Sequence, residues 1–316
     1  MNSQLAPILS VGDLVADLIV SIPSLPAQAG QHQLAQDIRL EPGGGANFLI
    51  AGVRLGYPMT AIGVLGDDDW GQQVAELMQA EGVNLAGVRH AGTTTQVIVL
   101  VSQTGEHVFL GKYGQGSKIE AGQAEQRLIE QSGAIFCAGY TLRETRLVDL
   151  TLETLRQGKQ RGIPLFFDPG PHLKDVSLEI KQAVLALVDT ILVTEAELPL
   201  LTSATIPELL RHGPSHVVVK RGAAGCAIWS AVHPADEPLL ESPGYPVPVV
   251  DTSAAGDSFD AAFIVATLWG WPLADCARLA NAMGAAKVQK LGGGRNVPTL
   301  AEVRQVISRF RLDLKI

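Results

Sequence analysis

The sequence predicts an α/β fold, a three-layer Rossmann-like arrangement in which a mostly parallel sheet lies between helices and carries a small inserted β lid. Three observations predict it. Short β-rich runs alternate with helical patterns along most of the 316 residues, the order that gives a parallel sheet with helices on its faces. The alternation breaks twice, near residues 13–40 and 93–115, where strand follows strand. The 33 glycines gather at strand-to-helix turns, where such sheets bind ligands.

In order along the core, ILSV precedes ANFLIAGVRL, TAIGVLG precedes WGQQVAELMQAEG, and AIFCAG precedes RLVDLTLETLRQ. PLFFD, TILVT and HVVVK continue the strands, with LEIKQAVLAL and EAELPLL between them. Gly56 and Gly82 suit the left-handed position after a last helical turn. In the first interruption, LIVSIPSLPAQAGQHQLAQDIRL supplies extended pieces around Pro23 and Pro26. The second, TQVIVLVSQTGEHVFL, reads as a hairpin joined at Thr104-Gly105. The expected division is a core of residues 1–12, 41–92 and 116–316 and a lid of residues 13–40 and 93–115.

Composition narrows the function. Hydrophobic residues make up 47% and charged residues 18%, a balance that offsets chain entropy by burial. Lys and Arg total 24 against 32 Asp and Glu, a net charge of −8, and no basic stretch follows a nucleic-acid backbone. Cys137, Cys226 and Cys276 stand far apart in apolar surroundings and read as reduced core thiols. Asp13 and Asp17 interrupt the N-terminal apolar run, which has no basic leader, and no run approaches the ~18 to 20 residues of a membrane span. A cytoplasmic protein without membrane contact is expected.

The stretch VDTSAAGDSFDAAF, residues 250–263, carries the chemistry. Apolar groups at helical spacing after Asp257 place residues 254–257 at a helix N-terminus, where free N–H groups and the helix dipole favour an anion. Ala254, Ala255 and Gly256 have no bulk to block it. Asp257 either caps the helix or accepts a proton from an attacking hydroxyl. Glu41-Pro42-Gly43-Gly44-Gly45-Ala46-Asn47 precedes another helix; its glycines allow close approach of main chain to a polar ligand, and its Asn either contacts a hydroxyl or caps.

These two stretches resemble the C-terminal and N-terminal signatures of the ribokinase family, the phosphofructokinase-B type of carbohydrate kinases. Ala254 stands where Gly is commoner, and Leu49 where a small residue is usual. The resemblance implies an ATP-dependent kinase acting on a primary hydroxyl of a small sugar, with Asp257 as base and residues 254–257 as the anion hole. It implies that Asp17, with Asp13 as helper or mere turn residue, Gly44, Gly45 and Asn47 orient the acceptor. VVVKRGAAG, residues 217–225, resembles the nucleotide-binding turn, with Lys220 on phosphate and Gly222 and Gly225 allowing close approach; Asn281 matches a position near the adenine. Glu197 keeps the acid of an Asn-x-x-Glu motif that holds Mg²⁺ through water, with Thr194 replacing the Asn. Gly170 replaces the Asn of an Asp-Pro-Asn turn. The resemblance also implies a monovalent cation, K⁺, near Asp251 and a homodimer formed through the lids.

Other readings remain open. A nucleoside kinase of the same fold needs the same base, with Phe109 or Tyr113 available to stack on a nucleobase; a non-catalytic nucleotide-binding regulator would not need Asp257. GKYGQGSK, residues 111–118, has Walker A glycine spacing but Ser-Lys in place of Lys-Ser and no buried strand before it. No dinucleotide-binding glycine loop is present. His212 and His216 have metal-ligand spacing, but Gly213 and Pro214 between them make them loop histidines.

Overall fold

The computed structural model describes residues 5–30, 32–104, 106–233 and 236–316, the side chain of His212 excepted. Its strands are β1 (Ile8–Ile22), β2 (Asp37–Gly44), β3 (Met59–Leu65), β4 (Asn84–His90), β5 (Thr95–Ser102), β6 (His107–Lys112), β7 (Ala134–Ala138), β8 (Leu165–Asp168), β9 (Thr190–Thr194), β10 (His216–Lys220), β11 (Cys226–Ser230) and β12 (Leu240–Ser242). The helices are α1 (Gly45–Arg54), α2 (Asp69–Ala80), α3 (Gln123–Gln131), α4 (Val148–Gln160), α5 (Leu178–Leu185), α6 (Leu198–Leu201), α7 (Ile206–His212), α8 (Ala255–Leu268), α9 (Leu273–Lys287) and α10 (Leu300–Arg309).

The central sheet runs β12-β11-β10-β9-β8-β7-β1-β3-β4. It is parallel from β4 to β10 and closes with the antiparallel pairs β10–β11 and β11–β12. Alternate residues of a strand face opposite sides, so neighbours such as Ile8 and Leu9, or Phe166 and Phe167, enter different cores. One core lies under α1, α2, α8, α9 and α10, and the other under α3, α4, α5 and α7. These are the three layers expected from the alternating pattern. Phe48 of α1 stacks on Phe136 of β7 at 3.9 Å between ring centroids, fixing α1 over the middle of the sheet.

Neither expected boundary of the first lid segment coincides with a strand end: residue 41 lies within β2, and residue 13 lies within β1, which continues unbroken to Ile22. Its partners change instead. Up to Asp13 it pairs in parallel with β3, and from Leu14 onward it pairs antiparallel with β2, with β5 beside it from Val15. β5 and β6 form the expected antiparallel hairpin; Gly105, half of the expected Thr104-Gly105 joint, lies outside the described residues. No helix among the described residues is long and apolar enough to cross a membrane.

Candidate active site

A cleft of about 710 Å³ opens where the sheet core meets the lid strands. It brings together Asp13, Asp17, Gly44, Gly45 and Asn47 with Asp251, Ala254 and Asp257 from the far end of the chain. The register explains the first group: Asp17 lies opposite Glu41 and Leu14 opposite Gly44, so the acids of β1 face the glycine turn. The glycines answer to β1 more than to a ligand. A Cβ on Gly43 would collide with the Asp17 carboxylate, and one on Gly44, whose φ is +59°, with the Asp13 carbonyl.

Asp257 lies in the first turn of α8, whose N-cap is Ala254 in the left-handed conformation at φ 58°; no side chain caps the helix. Asp257 is therefore not a cap. Of the four residues expected to form an anion hole, Ala255 spends its N–H on Thr252 O at 3.2 Å, and the first helical bond runs from Ser258 N to Ala254 O. That leaves the N–H groups of Gly256 and Asp257 ahead of the helical ladder, the usual unspent donors of a helix start. Burial, then the Asp168 charge, pushes the Asp257 carboxyl up to about 6, against the pull of Lys220 and a hydrogen bond from Asn47. Asn47 Oδ1 accepts from Gly294 N at 2.7 Å, which fixes the amide between the two ends of the chain.

Asp17 and Asp13 are each pushed up to about 7, chiefly by burial. Asp17 also feels Asp13, Asp257 and Glu41, while Asp13 feels Glu144, opposed by Arg146. Arg146 and Glu144 form a buried pair beneath the lid, with Nε to Oε1 at 3.0 Å and Nη2 to Oε2 at 3.1 Å. The sequence reading missed this pair because neither residue stands in a motif. It also missed Tyr140, Arg143 and His172, which line the cleft. Arg143 lies over the Tyr113 ring at 5.7 Å and pairs with Asp175 at 3.1 Å.

Several expected nucleotide and metal residues are placed otherwise than their motifs suggested. Lys220 does not project freely toward phosphate. Its ammonium is buried on Asp168 Oδ2 at 2.9 Å and on both oxygens of Asp260 at 3.1 and 3.2 Å, just beneath Gly256, whose Cβ position it approaches to 3.5 Å. The Lys220 charge holds Asp168 below the usual carboxylate range, and burial pushes Asp260 well above it. Asn281 spends its amide on Ser242 O at 3.2 Å, Ser242 Oγ at 3.1 Å and Pro243 O at 3.2 Å. A Cβ on Gly225 would strike that same 242–244 segment, whereas one on Gly222 would meet open space. Asn281 thus shapes the 242–244 loop beside Gly225.

Glu197 Oε2 accepts from Thr194 N at 2.9 Å, and Thr194 Oγ1 accepts from Glu197 N at 3.3 Å. The Thr that replaces Asn in the motif is the partner that orients the acid. His216 is a half-buried strand residue whose Nδ1 lies 3.1 Å from Ser215 Oγ, not a loop histidine. His212 ends α7, with its side chain outside the described residues. Asp251, where K⁺ was expected, accepts from Gly292 N and from Ser253 N and Oγ, and the charge of the buried Lys287 adds to the pull that holds its carboxyl below the usual range.

Residues 6–300 match the pfkB family of carbohydrate kinases. The chain belongs to that family. It is a phosphotransferase with an alcohol group as acceptor, and the kinase resembles ribokinases in sequence and in fold. A ribokinase of Bacillus subtilis is 29% identical over 305 residues, covering 94% of this chain and 98% of that protein. Arabidopsis thaliana ribokinase, complexed with ribose and ATP, superposes with a TM-score of 0.81 at 25% identity, covering 96% of this chain and 99% of that one. A candidate ribokinase II from E. coli in complex with ATP and Mg²⁺ gives a TM-score of 0.83 at 25% identity, covering 96% and 100%.

Proposed function

We propose that the kinase transfers the γ-phosphoryl group of ATP to a primary hydroxyl of a small sugar, with Asp257 as general base. The observation that carries this reading is the position of Asp257: an uncapped first-turn acid, raised to about 6, in one cleft with Asp13, Asp17 and Asn47. A base of that pKa is charged at neutral pH yet still able to take a proton. Asp17 and Asn47 would orient the acceptor, and the Gly256 and Asp257 N–H groups would hold the charge that spreads over the transferred group. The Lys220 ammonium beneath Gly256 would add to that field. ATP brings the phosphoryl group, and Mg²⁺ bound to its phosphates offsets their charge.

Among the described residues no cluster of three or more His, Cys, Asp or Glu side chains forms a ready-made metal cage, which suits an ion carried by phosphate and met by Glu197. Closure of β2, β5 and β6 over the cleft would exclude water as a competing acceptor. Exposed Ile98, Val108, Phe109 and Leu110 on these strands support pairing of two lids in a homodimer.

The test is Asp257→Asn, assayed by ADP release with Mg·ATP across pentoses and ketohexoses. Turnover is expected to fall by ~10²-fold or more, with sugar and ATP binding retained. Undiminished turnover would remove Asp257 as base.

A further inference from the structure

A fully buried lysine asks what its charge is for, because an ammonium out of water is costly unless it is paired. Lys287, the last residue of α9, has no exposed surface. Its Nζ donates to Lys290 O at 2.9 Å. The neighbouring lysine is used elsewhere, since Lys290 Nζ reaches Glu302 at 3.0 Å.

The segment that contains these residues folds back onto Asp251. Val250 N and Asp251 N both donate to Val288 O, at 2.7 and 3.1 Å, and Gly292 N donates to Asp251 Oδ2 at 2.6 Å. The other carboxylate oxygen accepts from Ser253 N and Ser253 Oγ, both at 2.9 Å. One carboxylate therefore ties the 287–292 turn to the start of the loop that carries Ala254, Gly256 and Asp257. The Lys287 ammonium sits within that turn, donating to the Lys290 carbonyl, and though it makes no ion pair with Asp251 its charge acts on that carboxylate through the buried turn. Burial lowers Lys287 to about 8 while Asp251 opposes the shift, so the ammonium form still prevails at neutral pH.

These are the tasks of a bound monovalent cation: balance a buried carboxylate and gather carbonyl oxygens around a turn. A second cation placed there would meet like charge in a poorly solvated site. We propose that the Lys287 ammonium is a built-in monovalent cation that pins the anion-hole loop through Asp251, so that this chain works without K⁺. The activity part rests on the phosphotransfer reading; the binding part does not.

The experiment compares wild type, Lys287→Met and Lys287→Ala in tetramethylammonium buffer with and without about 100 mM K⁺ or NH₄⁺, at ionic strength matched to hold screening constant. Wild-type turnover is expected to change by less than about twofold on adding K⁺, and its Tm not to rise, because no vacant site exists for linkage. Lys287→Met should lose about tenfold or more in turnover without rescue, since it removes the buried charge that offsets Asp251 and keeps the space filled. Lys287→Ala opens the space, so K⁺ or NH₄⁺ should raise its Tm and restore turnover. A wild-type protein activated severalfold and stabilised by K⁺ would overturn the proposal. So would a Lys287→Ala variant that K⁺ neither stabilises nor activates. Were no sugar phosphorylated at all, the phosphotransfer reading would fail, while the Tm comparison would still decide whether Lys287 fills a cation site.

Discussion

Asp257 and Asp260 stand three residues apart on α8, with opposite surroundings. Asp257 faces the cleft beside Asn47. Asp260 is wholly buried and shares the Lys220 ammonium with Asp168. One carboxyl keeps a proton-accepting surface, and the other is locked into a structural triad beneath the loop. The pair teaches that position on a helix face, more than residue type or motif membership, divides cleft-facing from buried, charge-paired acids. It also separates the two cations of the region. Lys220 lies beneath Gly256 among side-chain carboxylates, while Lys287 spends its ammonium on the Lys290 carbonyl in the turn that Gly292 ties to Asp251.

The contrast is broken most severely at its centre. Lys220→Met leaves Asp168 and Asp260 facing each other without a countercharge, and a buried pair that loses one partner costs about 3–5 kcal/mol. Denaturant melts should show that loss, and a midpoint equal to that of wild type would show the triad to be dispensable. Asp257→Asn should do the reverse. Burial penalises the charged form of Asp257, so removing the charge should leave the Tm unchanged or higher at pH 7 while turnover collapses. A joint fall in stability and turnover would make Asp257 a structural acid like its neighbour.

A milder probe is pH. A base with its pKa raised to about 6 is protonated below that value, so kcat should fall about tenfold per unit as pH drops below 6. The linkage to stability has the same origin. The folded-state pKa lies above the ordinary 3.8, so the native state binds the extra proton and this group's contribution to stability declines as pH rises from about 4 to 6. Asp257→Asn should flatten both trends; a kcat that stays level down to pH 5 would rule out this base. The smallest effect is expected at the acceptor end, where Asp17→Ala should raise KM for the sugar by about tenfold, the worth of a charged hydrogen bond, with KM for ATP little changed. A change confined to ATP would reverse the placement of the two sites.

Much of the site was legible because its glycines and acids are contiguous in the chain. VDTSAAGDSF and EPGGGAN each deliver a helix start with its flanking small residues, and local chemistry suffices to read such a turn. Lys220 and Asn281 show where that reading stops. Both stand in recognisable segments, yet Asp260 claims the first and the 242–243 carbonyls the second. Glu144, Arg146, Arg143 and His172 carried no signal, since they enter the cleft region from segments with no recognisable motif.

By itself the sequence determined the layered α/β architecture, through the period of its apolar residues, and the helix start that bears Asp257, through small residues ahead of a helical pattern. Only the tertiary structure decided which charges are paired. It runs β1 unbroken from the core into the lid, sets Lys220 between two acids and closes the 287–292 turn with Lys287 inside it. The physical reason is that periodicity and turn chemistry act between near neighbours in the chain, whereas the fate of a charge depends on what burial brings beside it from far away.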